Sequence, residues 1–537
     1  MKNSKFRTLI SMMVVLLWLQ PIQQVAANPP SPTPKFKNVI MMVMDGTNSD
    51  VVTLARWYKG SNLFIDDLIV GGVRTYSLRS AITDSAAAAT ALATGHKTIV
   101  DHIGMIPMYE SEHSSQPITT VPKATILEAA KRNGLATGIV ATSPVQHATP
   151  AGFSSHTLHR DDFSNIAEQQ VYQGIDVVLG GGKASLFPGK GKDERNDGEN
   201  LIRVLKEQNY TIVDTKEKLQ AAPSGKLWGA FARHALAYDF DRNTLELDQP
   251  SLAEMTEKAI QTLSQKKKGF FLFVEGSKVD WAAHKNDPVG MISEILSFDE
   301  AVKKAVEFAK VDKNTLVIAV TDHGNSGLTM GNGSTNNNYA SSPSTKFIEP
   351  LKQAKLSVSG AVSILKTDRS NLVEVASYYG VKDLDRTELK QLKKAKRTSE
   401  IENLLTQYLA KRAHLGFTTH GHTGEDVFLY AYGPGKPSGL INNVDIPRLI
   451  AEYLEVDLDE TTDSLFIDAE KWFTAQGFET AIELEGKNNE VFVAKKEGEE
   501  IRYPKNKNYR MVNSTVETLP GVNVFNGKTF FVPKPAR

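Results

Sequence analysis

The chain has 537 residues, of which 41% are hydrophobic and 23% charged, so it can bury a large core in one big domain or two smaller ones. Its 62 basic residues balance 62 acidic ones, which excludes a global electrostatic attraction to nucleic acid or to an anionic membrane. The chain has no cysteine, which excludes disulfides, thiolate metal sites and cysteine nucleophiles. Any bound metal must therefore use histidine and carboxylate ligands.

Residues 1–27 have the pattern of a secretory signal peptide. Basic residues precede an apolar run from Leu9 to Leu19, and a small-residue cleavage pattern ends at Ala27. The run is too short for a comfortable membrane span, so we expect no stable membrane anchor; an uncleaved anchor is the alternative. Residues 28–36 form a proline-rich linker. The sequence therefore predicts a secreted protein, extracellular or periplasmic, with a main domain over residues 37–469.

Short β-branched or aromatic runs alternate with helical periodicity along this domain. The predicted strands are Val39–Met44, Ile139–Thr142, Ile175–Leu179, Phe270–Val274, Leu316–Thr321 and Val427–Tyr432. Between them, helical periodicity covers Ala124–Asn133, Leu252–Leu263 and Ile292–Ala309. Continuous apolar runs are typical of buried parallel strands. The alternation predicts an α/β fold with a large central, mostly parallel sheet and helices on both faces.

Two regions depart from the alternation. Residues 328–416 begin with a Gly/Asn/Ser-rich segment and continue into lysine-rich helical sequence, which predicts an inserted cap. Residues 470–537 contain short alternating strands with turn signals, which predict a small antiparallel C-terminal β appendage.

Histidine and acidic residues collect at the ends of the predicted strands, where open α/β sheets place their binding crevice. They are Asp45, Glu275, Asp280, His284, Asp322, His323 and His422. Asp280 and His284 are four residues apart, so a helical turn would place both on one face as a metal-ligand pair. Taken singly, each has an ordinary alternative: a turn, a surface ion pair or a structural histidine.

Ser85 lies in the segment TDSAAAATALATG, whose alanines favour a helix beginning near the serine. The N–H groups and the positive dipole end of such a helix suit an anion. The alternative is a helix cap in a close-packed alanine helix.

In six motifs, the sequence resembles the alkaline phosphatases. They are MDG at Asp45, TDSAAAATALATG at Ser85, HATPAGFSSHTLHR from His147 to Arg160, VEGSKVDWAAH, TDHG and GHTGEDV, and they occur in the family's order between Val39 and Pro434. The resemblance implies a metal-dependent hydrolase of phosphate monoesters that forms a covalent phosphoserine on Ser85. It also makes a homodimer possible.

The resemblance implies a role for each matching residue. Asp280, His284 and His422 would bind one Zn²⁺; Asp322 and His323 a second, shared with Asp45; Asp45, Thr149 and Glu275 a Mg²⁺; and Arg160 the phosphate. The family varies near the third metal, where this chain pairs His147 with Trp281, and we expect both to lie near that metal outside its direct ligands. His156, His159 and His420 match no ligand position and are expected to be structural.

Three alternatives stay open at this point. A phosphodiesterase or phosphonate hydrolase of the same superfamily would share the two-metal core, although a threonine nucleophile is more usual there. A sulfatase would need a Cys/Ser-x-Pro-x-Arg motif, whereas alanines follow Ser85. From a different class, the chain could be an extracellular protein that binds phosphate or a polymer, with the appendage as its attachment module.

Overall fold

A computed structural model describes residues 38–111, 114, 116–433 and 435–535. The predicted signal peptide and linker, residues 1–36, lie outside the described residues. Within the described part of the chain, no helix combines the length and the apolar character needed to cross a membrane.

A ten-stranded mixed sheet lies at the centre of the fold. In spatial order its strands are Gly439–Asn442, Ile69–Arg74, Val427–Tyr432, Thr315–Val320, Asn38–Met44, Phe270–Gly276, Ala136–Pro144, Val177–Gly181, Leu227–Ala230 and Thr211–Val213. Neighbouring strands are parallel except at Val427–Tyr432, which is antiparallel to both of its neighbours. The predicted α/β fold with a mostly parallel sheet is confirmed, and the parallel direction predicted for Val427–Tyr432 is wrong.

The sheet separates two hydrophobic cores because successive side chains of a strand point to opposite faces. In the strand Asn38–Met44, Val39, Met41 and Val43 belong to one core, and Ile40, Met42 and Met44 to the other. The helices Ser85–Thr94, Ile126–Arg132, Phe163–Gln173, Leu201–Glu207 and Asp445–Leu454 pack into the first core. The helices Ser49–Lys59, Leu252–Leu263 and Pro288–Asp312 pack into the second. Helices therefore cover both faces, as predicted.

Several shorter helices complete the main domain. They are Ala148–Gly152, Lys216–Ala221, Asp239–Thr244, Lys278–His284 and Leu458–Leu465. Ala148–Gly152 follows the strand Ala136–Pro144, and Lys278–His284 follows the strand Phe270–Gly276. These two helices start at the same edge of the sheet because the two strands pair in parallel.

The segment predicted as an insertion is helical and packs into the second core. Its helices are Ser344–Ile348, Val358–Ser363, Leu372–Tyr378, Arg386–Lys394 and Thr398–Arg412. Apolar side chains from these helices, including Phe347, Val375 and Leu409, join the second core. Two short antiparallel pairs close its base: Gly324–Asn325 with His422–Thr423, and Thr329–Met330 with Leu415–Gly416.

The C-terminal region is antiparallel, as the alternating pattern predicted. After the helix Ala469–Thr474, the strands Glu479–Leu484, Glu490–Lys496, Glu499–Pro504, Tyr509–Val512 and Thr515–Thr518 form a five-stranded meander. Ile467–Asp468, Phe530–Val532 and Val524–Phe525 form a three-stranded sheet, and Met105–Met108 pairs with Thr119–Pro122. Lys507 of this region reaches the main domain, where its Nζ lies 2.7 Å from both carboxylate oxygens of Glu199.

Candidate active site

Ser85 is the first residue of the buried helix Ser85–Thr94. Asp84 caps this helix, because its side chain accepts a hydrogen bond from Ala87 N at 2.9 Å. Ser85 itself is therefore free of the capping role that the sequence left as an alternative. Its Oγ lies 3.1 Å from Nε2 of His323. The serine hydroxyl is thus held at a positive helix terminus and beside a predicted metal ligand.

One group of candidate ligands surrounds His323. Nε2 of His323 lies 3.2 Å from Oδ2 of Asp322 and 3.6 Å from Oδ1 of Asp45. All three side chains are buried. They come from the ends of two paired parallel strands, so the carboxyl edge of the sheet brings them together.

A second group contains Asp280, His284 and His422. His284 Nε2 lies 3.4 Å from Asp280 Oδ2, and His422 Nε2 lies 3.6 Å from Asp280 Oδ1. The two histidine Nε2 atoms are 3.2 Å apart. The helical spacing of Asp280 and His284 does place both on one face, as predicted.

The three histidines share one hydrogen-bonding arrangement. Nδ1 lies at a backbone carbonyl in each ring: Gly324 O at 3.1 Å for His323, His420 O at 2.6 Å for His284 and Thr83 O at 2.8 Å for His422. Because carbonyls only accept hydrogen bonds, Nδ1 carries the proton and Nε2 presents a lone pair. Metal-binding histidines in proteins are usually oriented in this way.

A third group lies next to the first. Oxygens of Asp45 and Glu275 and a ring nitrogen of His147 lie within 4.8 Å of one another. Thr149 Oγ1 donates a 3.4 Å hydrogen bond to Asp45 Oδ2. The ring of His147 meets that of Trp281 edge-on, with centroids 5.5 Å apart. His147, which the sequence placed outside the direct ligands, is therefore itself within reach of a cation bound here.

The electrostatics of these buried groups favour a bound cation. Asp45 Oδ1, Asp322 Oδ2 and Glu275 Oε1 are buried without a hydrogen-bond partner among the described residues. Burial, followed by the charges of neighbouring carboxylates, raises the pKa of Asp45 well above its ordinary value, and burial raises the pKa of Glu275 to about 7. Burial also lowers the pKa of His323 to about 3, so this ring is neutral. Clustered carboxylates with neutral imidazoles form a donor set that fits divalent metal ions.

Arg160 lies beside the helix that begins at Ser85. Its Nη1 donates to Asp84 Oδ2 at 3.1 Å, and Asp101 N donates to the same oxygen at 3.0 Å. Because Asp84 also caps the helix of Ser85, one carboxylate fixes both the helix start and the arginine. This leaves the other guanidinium nitrogens available to an anion.

The structure brings the predicted site residues together and adds one residue, Asn325, that the sequence did not predict. Buried Asn325 donates from Nδ2 to Asp280 Oδ1 at 2.6 Å. Its only sequence signal is its position three residues after Asp322, which carries no chemistry by itself. His156, expected to be structural, is buried against Glu128, with Nε2 and Oε1 3.0 Å apart.

A family model and the known proteins similar to this chain indicate the same family. The family model described as alkaline phosphatase matches residues 36–456. Alkaline phosphatase 3 of Bacillus subtilis is 36% identical over 446 residues, which cover 79% of this chain and 90% of the relative. The alkaline phosphatase of Schizosaccharomyces pombe is 32% identical over 468 residues, with 80% and 83% covered.

Solved structures agree with the sequence relatives. The alkaline phosphatase of Thermus thermophilus is similar with a TM-score of 0.70 at 27% identity, covering 82% of this chain and 96% of that one. The cold-active enzyme of Shewanella sp. gives 0.67 at 29% identity, covering 78% and 99%. The chain therefore belongs to the alkaline phosphatase family and is a hydrolase of phosphate monoesters.

Proposed function

We propose that the chain hydrolyses phosphate monoesters through a covalent phosphoserine at Ser85, with two Zn²⁺ ions and one Mg²⁺ ion. The observation that carries this proposal is the position of Ser85 Oγ, 3.1 Å from His323 Nε2 at the start of a helix. A serine so placed lies among the candidate metal ligands and next to Arg160, whose partner Asp84 caps the same helix.

Each group of donors suits one of the proposed ions. Asp280, His284 and His422 would hold one Zn²⁺, and Asp45, Asp322 and His323 the other, because zinc takes imidazole nitrogens and carboxylates. Asp45, Glu275 and Thr149 would hold the Mg²⁺, which prefers oxygen ligands. A mutant alkaline phosphatase from the Antarctic bacterium TAB5, 26% identical with a TM-score of 0.57, has Mg bound in its M3 site. The nitrogen of His147 is the departure from an all-oxygen set here.

The residues of the chain would act in sequence on the substrate. Bound metal ions would supply charge stabilisation for the entering and leaving oxygens and would lower the pKa of the serine hydroxyl. Arg160 would bind two non-bridging phosphate oxygens, and the N–H groups at the start of the Ser85 helix would bind the developing charge. Ser85 Oγ would bond to phosphorus while the alcohol leaves. Water would then cleave the phosphoserine, releasing inorganic phosphate and restoring Ser85.

The test is an assay of purified protein with nitrophenyl phosphate, bis-nitrophenyl phosphate and nitrophenyl sulfate. We expect the monoester to be cleaved fastest, chelation to abolish activity, and Zn²⁺ with Mg²⁺ to restore it. Ser85→Ala should be inactive, whereas Ser251→Ala, which changes a serine at the start of another helix, should keep its activity. Faster cleavage of the diester would indicate a phosphodiesterase, and activity in Ser85→Ala would exclude the phosphoserine.

We also propose that the mature protein acts outside the cytoplasm and forms a homodimer. The signal-peptide pattern of residues 1–27 supports export, and the resemblance to the family supports a dimer. N-terminal sequencing of the exported protein should begin near Asn28, and sedimentation should give twice the chain mass. A protein retained in the cytoplasm, or a monomer at assay concentration, would contradict the respective part.

A further inference from the structure

His284 and His420 bond to each other's backbone. Nδ1 of His284 donates to His420 O at 2.6 Å, and Nδ1 of His420 donates to His284 O at 3.1 Å. Two reciprocal hydrogen bonds thus close a ring between the end of the helix Lys278–His284 and the segment before His422. From its place in the sequence, His420 was predicted to be structural.

We infer that His420 is a positioning residue for the candidate metal ligand His284. The two hydrogen bonds between His284 and His420, called the clasp below, help to fix the distance between His284 and His422. This inference rests on the proposed zinc set. It adds a residue outside the ligands that acts through His284.

The clasp joins two chain segments that supply ligands to the same ion. The helix carries Asp280 and His284, whereas the strand His422–Thr423 carries the third ligand. Strand pairing holds this second segment through Asn325 and His422, and the ring of His422 also bonds to Thr83 O. The clasp adds a direct link between this segment and the helix, and His422 Nε2 lies 3.2 Å from His284 Nε2 across that link. We expect loss of the link to loosen the spacing of these two nitrogens.

Asn286 bridges the same two segments. With its amide nitrogen facing Thr419 O and Ala283 O, it donates to both at 3.0 Å. Its φ of +51° is a left-handed conformation that asparagine tolerates better than most residues. Polar side chains of the helix end and of the segment before His422 therefore hydrogen-bond to backbone carbonyls of the other segment.

The clasp also fixes the tautomer of His284. His420 O can only accept, so the proton of His284 stays on Nδ1 and its lone pair stays on Nε2, where the ion would bind. The imidazoles of His284 and His420 are both exposed. Water can therefore compete for either hydrogen bond once the other is broken. Partners of this kind typically change metal affinity by about 10- to 100-fold.

The experiment measures zinc release from the loaded full-length protein into excess chromogenic chelator. His420→Leu removes the side-chain donor, and His420→Asn keeps a donor at the δ position. We expect one zinc equivalent per chain to leave about tenfold faster or more in His420→Leu, and His420→Asn to restore most of the wild-type rate. His234→Leu, which removes another exposed histidine that pairs with Asp193, should release zinc as the wild type does.

Equal release rates for His420→Leu and the wild type would overturn the inference, as would equal acceleration in both His420 variants. A wild type that retains no zinc would instead contradict the proposed metal set. In that case the melting temperatures of the metal-free proteins decide on the clasp: a lower value for His420→Leu than for His420→Asn supports it, and equal values overturn it.

Discussion

Gly46 lies so close to Asp280 that a Cβ on the glycine would be 2.7 Å from Asp280 Cα and 2.6 Å from its Oδ1. The φ of Gly46 is +67°, in the left-handed region that favours glycine. Because Gly46 follows Asp45, this contact joins candidate ligands of two different ions. The spacing between the two halves of the site therefore depends on the absence of a side chain.

Gly46→Ala is expected to push Asp45 and Asp280 apart and to lower zinc content and activity by at least about tenfold. The matched control is Gly60→Ala, because Gly60 has a φ of +74° but open space around its Cβ position. The control should lose only the cost of a left-handed alanine, about 1 kcal/mol, with full activity. Metal analysis and melting curves of both variants test this prediction. Equal losses of zinc and stability in the two variants would show that the left-handed backbone, and not the contact with Asp280, causes the effect.

Arg160→Lys should weaken phosphate binding although the positive charge remains. Lysine cannot make two parallel hydrogen bonds to a phosphate. It also lacks the rigid, planar guanidinium group with which arginine can bond to Asp84 and to phosphate at the same time. We expect the inhibition constant for inorganic phosphate to rise by roughly tenfold or more. Competitive inhibition assays measure it, and equal constants for the two proteins would contradict the assigned role.

Lys507→Met should destabilise the protein without changing its catalytic rate. Oxygens of Glu168, Asp197 and Glu199 lie within 4.8 Å of one another, and Lys507 contacts Glu168 and Glu199. Without this lysine, buried Arg195 would be the one basic residue among the described parts of the chain that pairs with the three acids. Removing one partner of such a network costs about 3–5 kcal/mol.

Melting curves in saturating Zn²⁺ and Mg²⁺ test this prediction, with exposed Lys528→Met as the control. A large drop in melting temperature for Lys507→Met alone would show that the C-terminal region stabilises the main domain. Unchanged melting would mean that the acids are neutralised in another way.

Asp287 makes the fold sensitive to pH. It is buried and accepts hydrogen bonds from Tyr379 Oη at 2.8 Å and Val358 N at 2.9 Å, which anchor the inserted segment. Burial raises the pKa of Asp287 to about 6. The folded state therefore binds this proton more tightly than the unfolded state does. As a result, the contribution of Asp287 to the free energy of unfolding falls by about 3 kcal/mol as pH rises from about 4 to about 6.

Asp287→Asn removes this titration, so its melting temperature relative to the wild type should rise between pH 4 and pH 7. Comparing the two proteins at each pH cancels the effect of metal loss, which both would share. A difference that stays constant across this range would show that Asp287 has an ordinary pKa.

The sequence was informative about the candidate site because its candidate metal ligands follow recognisable strands. Asp45, Glu275 and Asp322 each come at or just after a long apolar run, and parallel pairing brings such ends together. Asn325 could not be predicted in this way. Its role depends on a tertiary hydrogen bond to Asp280, which no local pattern encodes.

Strand direction and glycine-rich strands were also beyond the sequence pattern. Val427–Tyr432 is a continuous apolar run, and such a run has the same appearance in either direction. The strand Ile69–Arg74 was missed because Gly71 and Gly72 interrupt its pattern. Gly72 pairs with both Phe428 and Leu440, and a Cβ on Gly72 would lie 3.2 Å from Val427 O and 3.3 Å from Leu440 Cδ1.

The antiparallel direction of Val427–Tyr432 places both ends of the inserted segment at the same edge of the sheet. The chain leaves the sheet after Val320 and returns before Val427, on adjacent antiparallel strands, so departure and return occur side by side. The pairs Gly324–Thr423 and Thr329–Gly416 then close the base like the stem of a hairpin. A segment of different length or sequence could therefore follow this stem, while Asp322, His323 and His422 keep their places.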